Sequence, residues 1–163
     1  MARDVQRSKV YAAEQFVRTM FDRAAEHHSR AIDFFGTALT LPPEARFASV
    51  ESVQRYVDEV LAMPAVTERW GPIAPLAVRV RRGHTAAHYE SGDAGAVIAV
   101  PERSSRWALR ELVLLHEIAH HLCPAEPAHG TEFVATFGAL AEVVMGAEVG
   151  HVLRVVYAKE GVR

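Results

Sequence analysis

The stretch Leu114-Leu115-His116-Glu117-Ile118-Ala119-His120-His121-Leu122 constrains this chain more than any other. It sets His-Glu-x-x-His inside an apolar run. On a helix, residues four apart lie one turn above each other, so His116 and His120 can reach one metal ion. Glu117 lies beside His116 on nearly the same face. It can touch a water on the metal without filling a coordination position. Zinc lowers the pKa of such a water toward neutrality, and the carboxylate can take its proton. Residues 107–122 have the length and composition of a buried helix. Cys123-Pro124 ends it, because a residue before proline is biased away from the helical region. Three ionisable groups in an apolar helix need a reason to be there. The plainer explanation is a set of core histidines hydrogen-bonded to their neighbours.

A catalytic zinc takes three protein ligands and keeps one position open. His129 stands nine residues after His120, followed by Gly130 and by Thr131-Glu132-Phe133. The intervening loop carries Pro124 and Pro127, which make it a stiff turn able to bring the chain back to the metal. His129 is the first choice for the third ligand. Glu126 and Glu132 are carboxylate alternatives, and Cys123 is a poorer one.

His116-Glu117-x-x-His120 followed by His129-Gly130-x-x-Phe133 resembles the HExxH…HGxxF arrangement of SprT-like zinc peptidases. The chain also resembles a group of small, single-domain actinobacterial zinc metallohydrolases of the HExxH type. The resemblance is strongest over about residues 95–146. It implies a zincin-like α+β fold, one zinc ion per chain and hydrolytic chemistry, with His116, His120 and His129 as metal ligands and Glu117 as general base. It brings no substrate with it. The metzincin pattern matches poorly, because Cys123 and Glu126 stand where it needs a glycine and a histidine.

At 163 residues the chain reads as one domain, 1–163, long enough to bury a core. Hydrophobic residues make up 50% and charged ones 23%, a globular balance. A formal net charge of −2 supplies no global basic field for nucleic acid or an anionic membrane. One cysteine excludes an internal disulfide and fits a reducing compartment. The charged first nine residues are followed by no apolar signal core, and no run of about 18 apolar residues exists. A cytoplasmic protein with neither signal peptide nor membrane span is therefore expected.

The rest of the pattern is α+β. Val10, Ala13, Val17, Met20, Phe21 and Ala24 recur at helical steps through residues 4–28, with Glu14 and Arg18 among the polar positions. His27 and His28 fall at the end of that helix. Phe34-Phe35-Gly36 suggests a buried turn, and Thr37–Leu41 a strand stopped by Pro42-Pro43. Ser49 is a plausible N-cap for a helix over 50–62. Pro64 ends that helix, and residues 64–75 read as loop. Three strands then follow over 76–81, 84–90 and 94–100, joined by tight turns. The third is apolar on both faces. Its neighbours carry a basic cluster, Arg79, Arg81 and Arg82, and a histidine pair on one face, His84 and His88. Ser104 or Ser105 caps the motif helix. Helices over 131–145 and 148–158 complete the chain.

The expected fold is thus zincin-like α+β: a small, mostly antiparallel sheet of three to four strands packed on the active-site helix and several further helices. The expected activity is that of a zinc metallohydrolase, a metalloendopeptidase of the HExxH type acting on a peptide or protein substrate. Tyr157, His151 and Arg154 are candidates to stabilise the oxyanion, and Glu142 to support a ligating histidine. The competing reading is a non-catalytic or regulatory zincin-like protein whose zinc is structural or sensory. A carboxylate third ligand favours a regulator, and a fourth protein ligand such as Cys123 a structural clamp.

Overall fold

The computed structural model describes residues 2–82, 86–101 and 109–163. These form six helices, a two-stranded sheet and a three-stranded sheet, an α+β arrangement. They cluster into two compact units, Met1–Glu44 with Cys123–Arg163, and Ala45–Leu122. No helix among the described residues is long and apolar enough to cross a membrane.

The first unit holds helices α1 (Arg7–Glu26), α5 (Thr131–Met145) and α6 (Ala147–Lys159) and strands β1 (Ala31–Phe34) and β2 (Thr37–Thr40). Helix α1 buries Val10, Ala13, Val17 and Phe21, the stripe expected from their spacing. Helix α5 buries Phe133, Phe137 and Leu140, and α6 buries Val149, Val152, Leu153 and Val156. Strands β1 and β2 form an antiparallel hairpin closed by Phe35 and Gly36. Both turn residues have positive φ, 49° and 86°, which suits the right-handed twist of the strands. The Asp33 side chain accepts from the Gly36 N–H at 2.8 Å. Of the expected buried turn only Phe34 is in the core; Phe35 is 58% exposed and Gly36 is exposed too.

One departure in this unit is chemical. Glu14 and Arg18 lie on the buried side of α1, 3% and 9% exposed, although their charge assigned them to solvent. Glu14 accepts a hydrogen bond from the Tyr157 hydroxyl at 3.0 Å, so its burial is compensated. Burial drives the Tyr157 phenol well above its ordinary range; Glu14 adds to the rise and Arg18 opposes it. The folded state therefore holds this proton more tightly than the unfolded chain does. The stability it contributes is complete below pH ~10 and falls as the pH rises beyond that, by up to ~1.4 kcal/mol per pH unit. Unfolding midpoints measured from pH 8 to 11 are expected to fall less steeply in Tyr157→Phe than in wild type. Parallel curves would contradict this.

The second unit holds α2 (Val50–Ala62), α3 (Pro64–Trp70), β3 (Leu76–Arg81), β4 (His88–Gly92), β5 (Gly95–Pro101) and α4 (Glu111–Leu122). Ser49 caps α2 reciprocally with Ser52, at 3.1 and 3.2 Å. Pro64 ends α2 but also opens α3, where a missing N–H costs nothing at the first helical position. Residues 64–70 are thus helix rather than loop.

The sheet corrects the expected topology. Its order is β3-β5-β4, with β3 parallel to β5 and β4 antiparallel to β5. It is mixed, not mostly antiparallel, and β3 and β4 form no hairpin. The reason lies in β5, whose Ile98, Ala99 and Val100 are all buried. A strand apolar on both faces belongs at the centre, which leaves the polar β3 and β4 as edges. Across that centre Arg79 forms a two-pronged pair with Glu90 at 2.8 and 2.9 Å. Arg81 donates to the Ala86 carbonyl at 3.2 Å. The basic cluster is therefore partly neutralised from within. His84, the proposed partner of His88, lies outside the described residues, as do Ser104, Ser105 and Trp107.

Candidate metal centre

Helix α4 is buried along nearly its whole length, from Leu112 to Ala119. Its first turn is tied down by Glu111. That residue's N–H donates to the Ala45 carbonyl at 3.0 Å, and its carboxylate accepts from the Ala45 N–H and the Tyr56 hydroxyl. The helix ends at Leu122, before Cys123-Pro124, as expected from the proline.

The helical repeat sets the imidazoles of His116 and His120 one above the other, with ring centroids 4.9 Å apart and planes at 72°. Their Nε2 atoms stand 3.1 Å apart. Two nitrogens at 2.0–2.1 Å from one tetrahedral zinc would be roughly 3.3 Å apart, so the pair is close to metal-binding separation. His116 is 4% exposed, Glu117 7%, and His120 is half-buried.

His129 sits just before α5 and is 5% exposed. Its Nδ1 is 2.7 Å from the Asp4 carboxylate, which puts the hydrogen on Nδ1 and the lone pair on Nε2. The rings of Tyr11 and Phe133 lie beside the imidazole, each with its centroid at 5.1 Å. Gly130 follows for a steric reason. A side-chain carbon there would stand 3.1 Å from the Pro127 ring and carbonyl, tighter than proteins ordinarily show.

His116, His120 and His129 form one group whose ligand atoms all lie within 4.8 Å of one another. Three neutral imidazoles suit zinc and its neighbours among the first-row metals. Among the described residues, Cys123, Glu126 and Glu132 do not join the group.

The other sequence candidates go elsewhere. The Tyr157 hydroxyl is committed to Glu14. Arg154 pairs with Glu142 at 2.8 Å, so Glu142 does not take the expected supporting role toward a histidine. His151 lies edge-on to Phe34, at 6.0 Å. His121, next to the motif, is turned to the backbone: Nε2 donates to the Ala74 carbonyl at 2.7 Å, and Nδ1 accepts from the Tyr89 hydroxyl at 3.1 Å. The Tyr89 ring stacks near His120, with planes 15° apart and centroids at 6.2 Å. Burial raises the pKa of this phenol above its ordinary value.

Sequence reasoning missed Asp4 and Tyr89. Tyr89 had a weak signal, as an aromatic on the strand before the apolar β5. Asp4 had none, being 125 positions from its partner. Comparison with models of known protein families, with curated proteins and with solved structures finds no match to this chain.

Proposed function

We propose that this chain is a zinc-dependent metallohydrolase with a zincin-like fold, most directly a metallopeptidase that hydrolyses an amide bond. The observation that carries the reading is the group of His116, His120 and His129, with Glu117 adjacent to the first ligand. Core histidines satisfied by unrelated neighbours have no reason to converge on one point. The resemblance of the His116-Glu117-x-x-His120 and His129-Gly130-x-x-Phe133 motifs to those of SprT-like zinc peptidases is in keeping with the reading.

In this proposal His116, His120 and His129 would hold the ion, which when bound would act as a Lewis acid that acidifies water and polarises a carbonyl oxygen. Glu117 takes the proton from the attacking water and passes it to the leaving amine. The apolar surroundings of α4 exclude bulk water and strengthen the electrostatics of the site. Strand β4 is an edge of its sheet and packs against α4, so an extended peptide can add to it through backbone hydrogen bonds. A closed structural site would need a fourth protein ligand, and among the described residues the group has three members.

Metal analysis by mass spectrometry tests the reading on protein purified without chelator or a histidine tag. About one zinc ion per chain is expected. Cleavage of a mixed peptide library should disappear on chelation and return with added zinc. Absence of metal under zinc-replete conditions would sink the proposal.

A further inference from the structure

We infer that Asp4 is the positioning residue for His129, and that the segment before α1 exists in this form to present that imidazole to a divalent cation. The inference rests on the metal reading above and adds a partner that the motif does not contain.

The contact is short and sheltered. Asp4 Oδ2 lies 2.7 Å from His129 Nδ1, with the side chains 24% and 6% exposed. A carboxylate can only accept there, so Nδ1 carries the hydrogen and the lone pair lies on Nε2, the form that coordinates a metal through Nε2. This is the tautomer that a free neutral histidine side chain populates less. Selecting it in advance lowers the cost of binding a metal through Nε2. Carboxylate partners of ligating histidines act in this way elsewhere.

The backbone around His129 is held from the same segment. Gln6 Nε2 donates to the His129 carbonyl at 2.8 Å and to the Arg163 carbonyl at 2.8 Å. Gln6 Oε1 accepts from the Arg163 N–H at 3.1 Å, and Thr131 Oγ1 donates to the Arg163 carbonyl at 2.9 Å. Asp4 therefore fixes the ring and Gln6 fixes its main chain. The rings of Tyr11 and Phe133, each centred 5.1 Å from the imidazole, add contacts that restrict its rotation.

A second observation separates this from ordinary packing. Asp4 Oδ1 is buried with no hydrogen-bond partner among the described residues. Asp4 thus directs one carboxylate oxygen at His129 while the other makes no hydrogen bond among the described residues, which fits a role exerted through His129.

Two measurements on wild type and Asp4→Asn test the inference. Nitrogen NMR of the metal-free protein, at alkaline pH where imidazoles are neutral, is expected to show His129 as the Nδ1–H tautomer in wild type and as a mixture or the Nε2–H form in the variant. Zinc affinity, read by competition with a chromophoric chelator, is expected to fall about 10- to 100-fold in the variant. The unfolding midpoint of the metal-free variant should not drop. A merely structural Asp4 would lower that midpoint and leave the tautomer alone, which would overturn the inference. Equal zinc affinity in both proteins would overturn it too, while leaving the three-histidine site standing. Wild type that binds no zinc would bring down the metal reading itself, whatever the tautomer shows.

Discussion

The Glu117→Gln protein is expected to keep its metal and lose its hydrolysis. Glutamine matches glutamate in size, so the buried position, 7% exposed within α4, can accept it without a cavity or a clash. The amide cannot take a proton from water. Losing a positioned general base costs typically 10²- to 10⁴-fold, and the loss should appear in kcat rather than in substrate binding. Zinc content should stay at the wild-type value, because Glu117 lies outside the three-histidine group. Each departure from this pattern is informative. Metal lost with the glutamate would make Glu117 a ligand and leave the base unassigned. Full activity in the variant would remove Glu117 from the chemistry and favour a site that only binds. The measurement is a paired one, metal stoichiometry and cleavage rate on the same preparation, so that a folding defect cannot pass for a catalytic one.

How far the chain could be read in advance depended on whether the cause of a feature was local. The spacing of Val10, Ala13, Val17 and Phe21, the Ser49 cap and the stop at Cys123-Pro124 act over a few residues, and all three appear in the structure. The helix over Thr131–Met145 with Gly146 after it is equally local. Strand order was not local. The apolar run of β5 showed that it is buried on both faces, yet the tight turns around it suggested hairpins, and only pairing across the sheet decides which strand takes the centre. Pro64 misled for a related reason: the residue that stops one helix is well suited to begin the next. Charge misled at Glu14 and Arg18, and for Glu14 the reason is distance: the Tyr157 hydroxyl that compensates its burial lies 143 positions away. The candidate site shows the same division. His116 and His120 follow from helix geometry, and the position of His129 follows from a short stiff loop. The carboxylate at Asp4 follows from nothing within reach of a pattern, and Glu142, the guess made in its place, is paired with Arg154.

His129→Ala should separate a three-histidine site from every alternative ligand set. Apparent zinc affinities of about 10–16 kcal/mol are shared among four ligands in small structural sites, or roughly 3 kcal/mol for each. Removing one imidazole from three should therefore weaken zinc binding by about 10²- to 10³-fold, since each 1.4 kcal/mol is tenfold. Hydrolysis at limiting zinc should fall with it and recover in part at high zinc. The substitution also takes the partner from Asp4, whose Oδ1 has none among the described residues, so the metal-free protein must be checked for folding. The double variant Asp4→Ala with His129→Ala removes that stranded carboxylate and should bind zinc no better than His129→Ala alone. Unchanged zinc affinity in a folded His129→Ala protein would exclude this histidine. The third ligand would then be a carboxylate, with Glu126 and Glu132 the nearest in sequence, and the regulatory reading would gain at the expense of the hydrolase. Zinc lost in His129→Ala and retained in Glu117→Gln is the pair of results that an open hydrolytic site predicts and a closed structural site does not, once the second variant is also inactive.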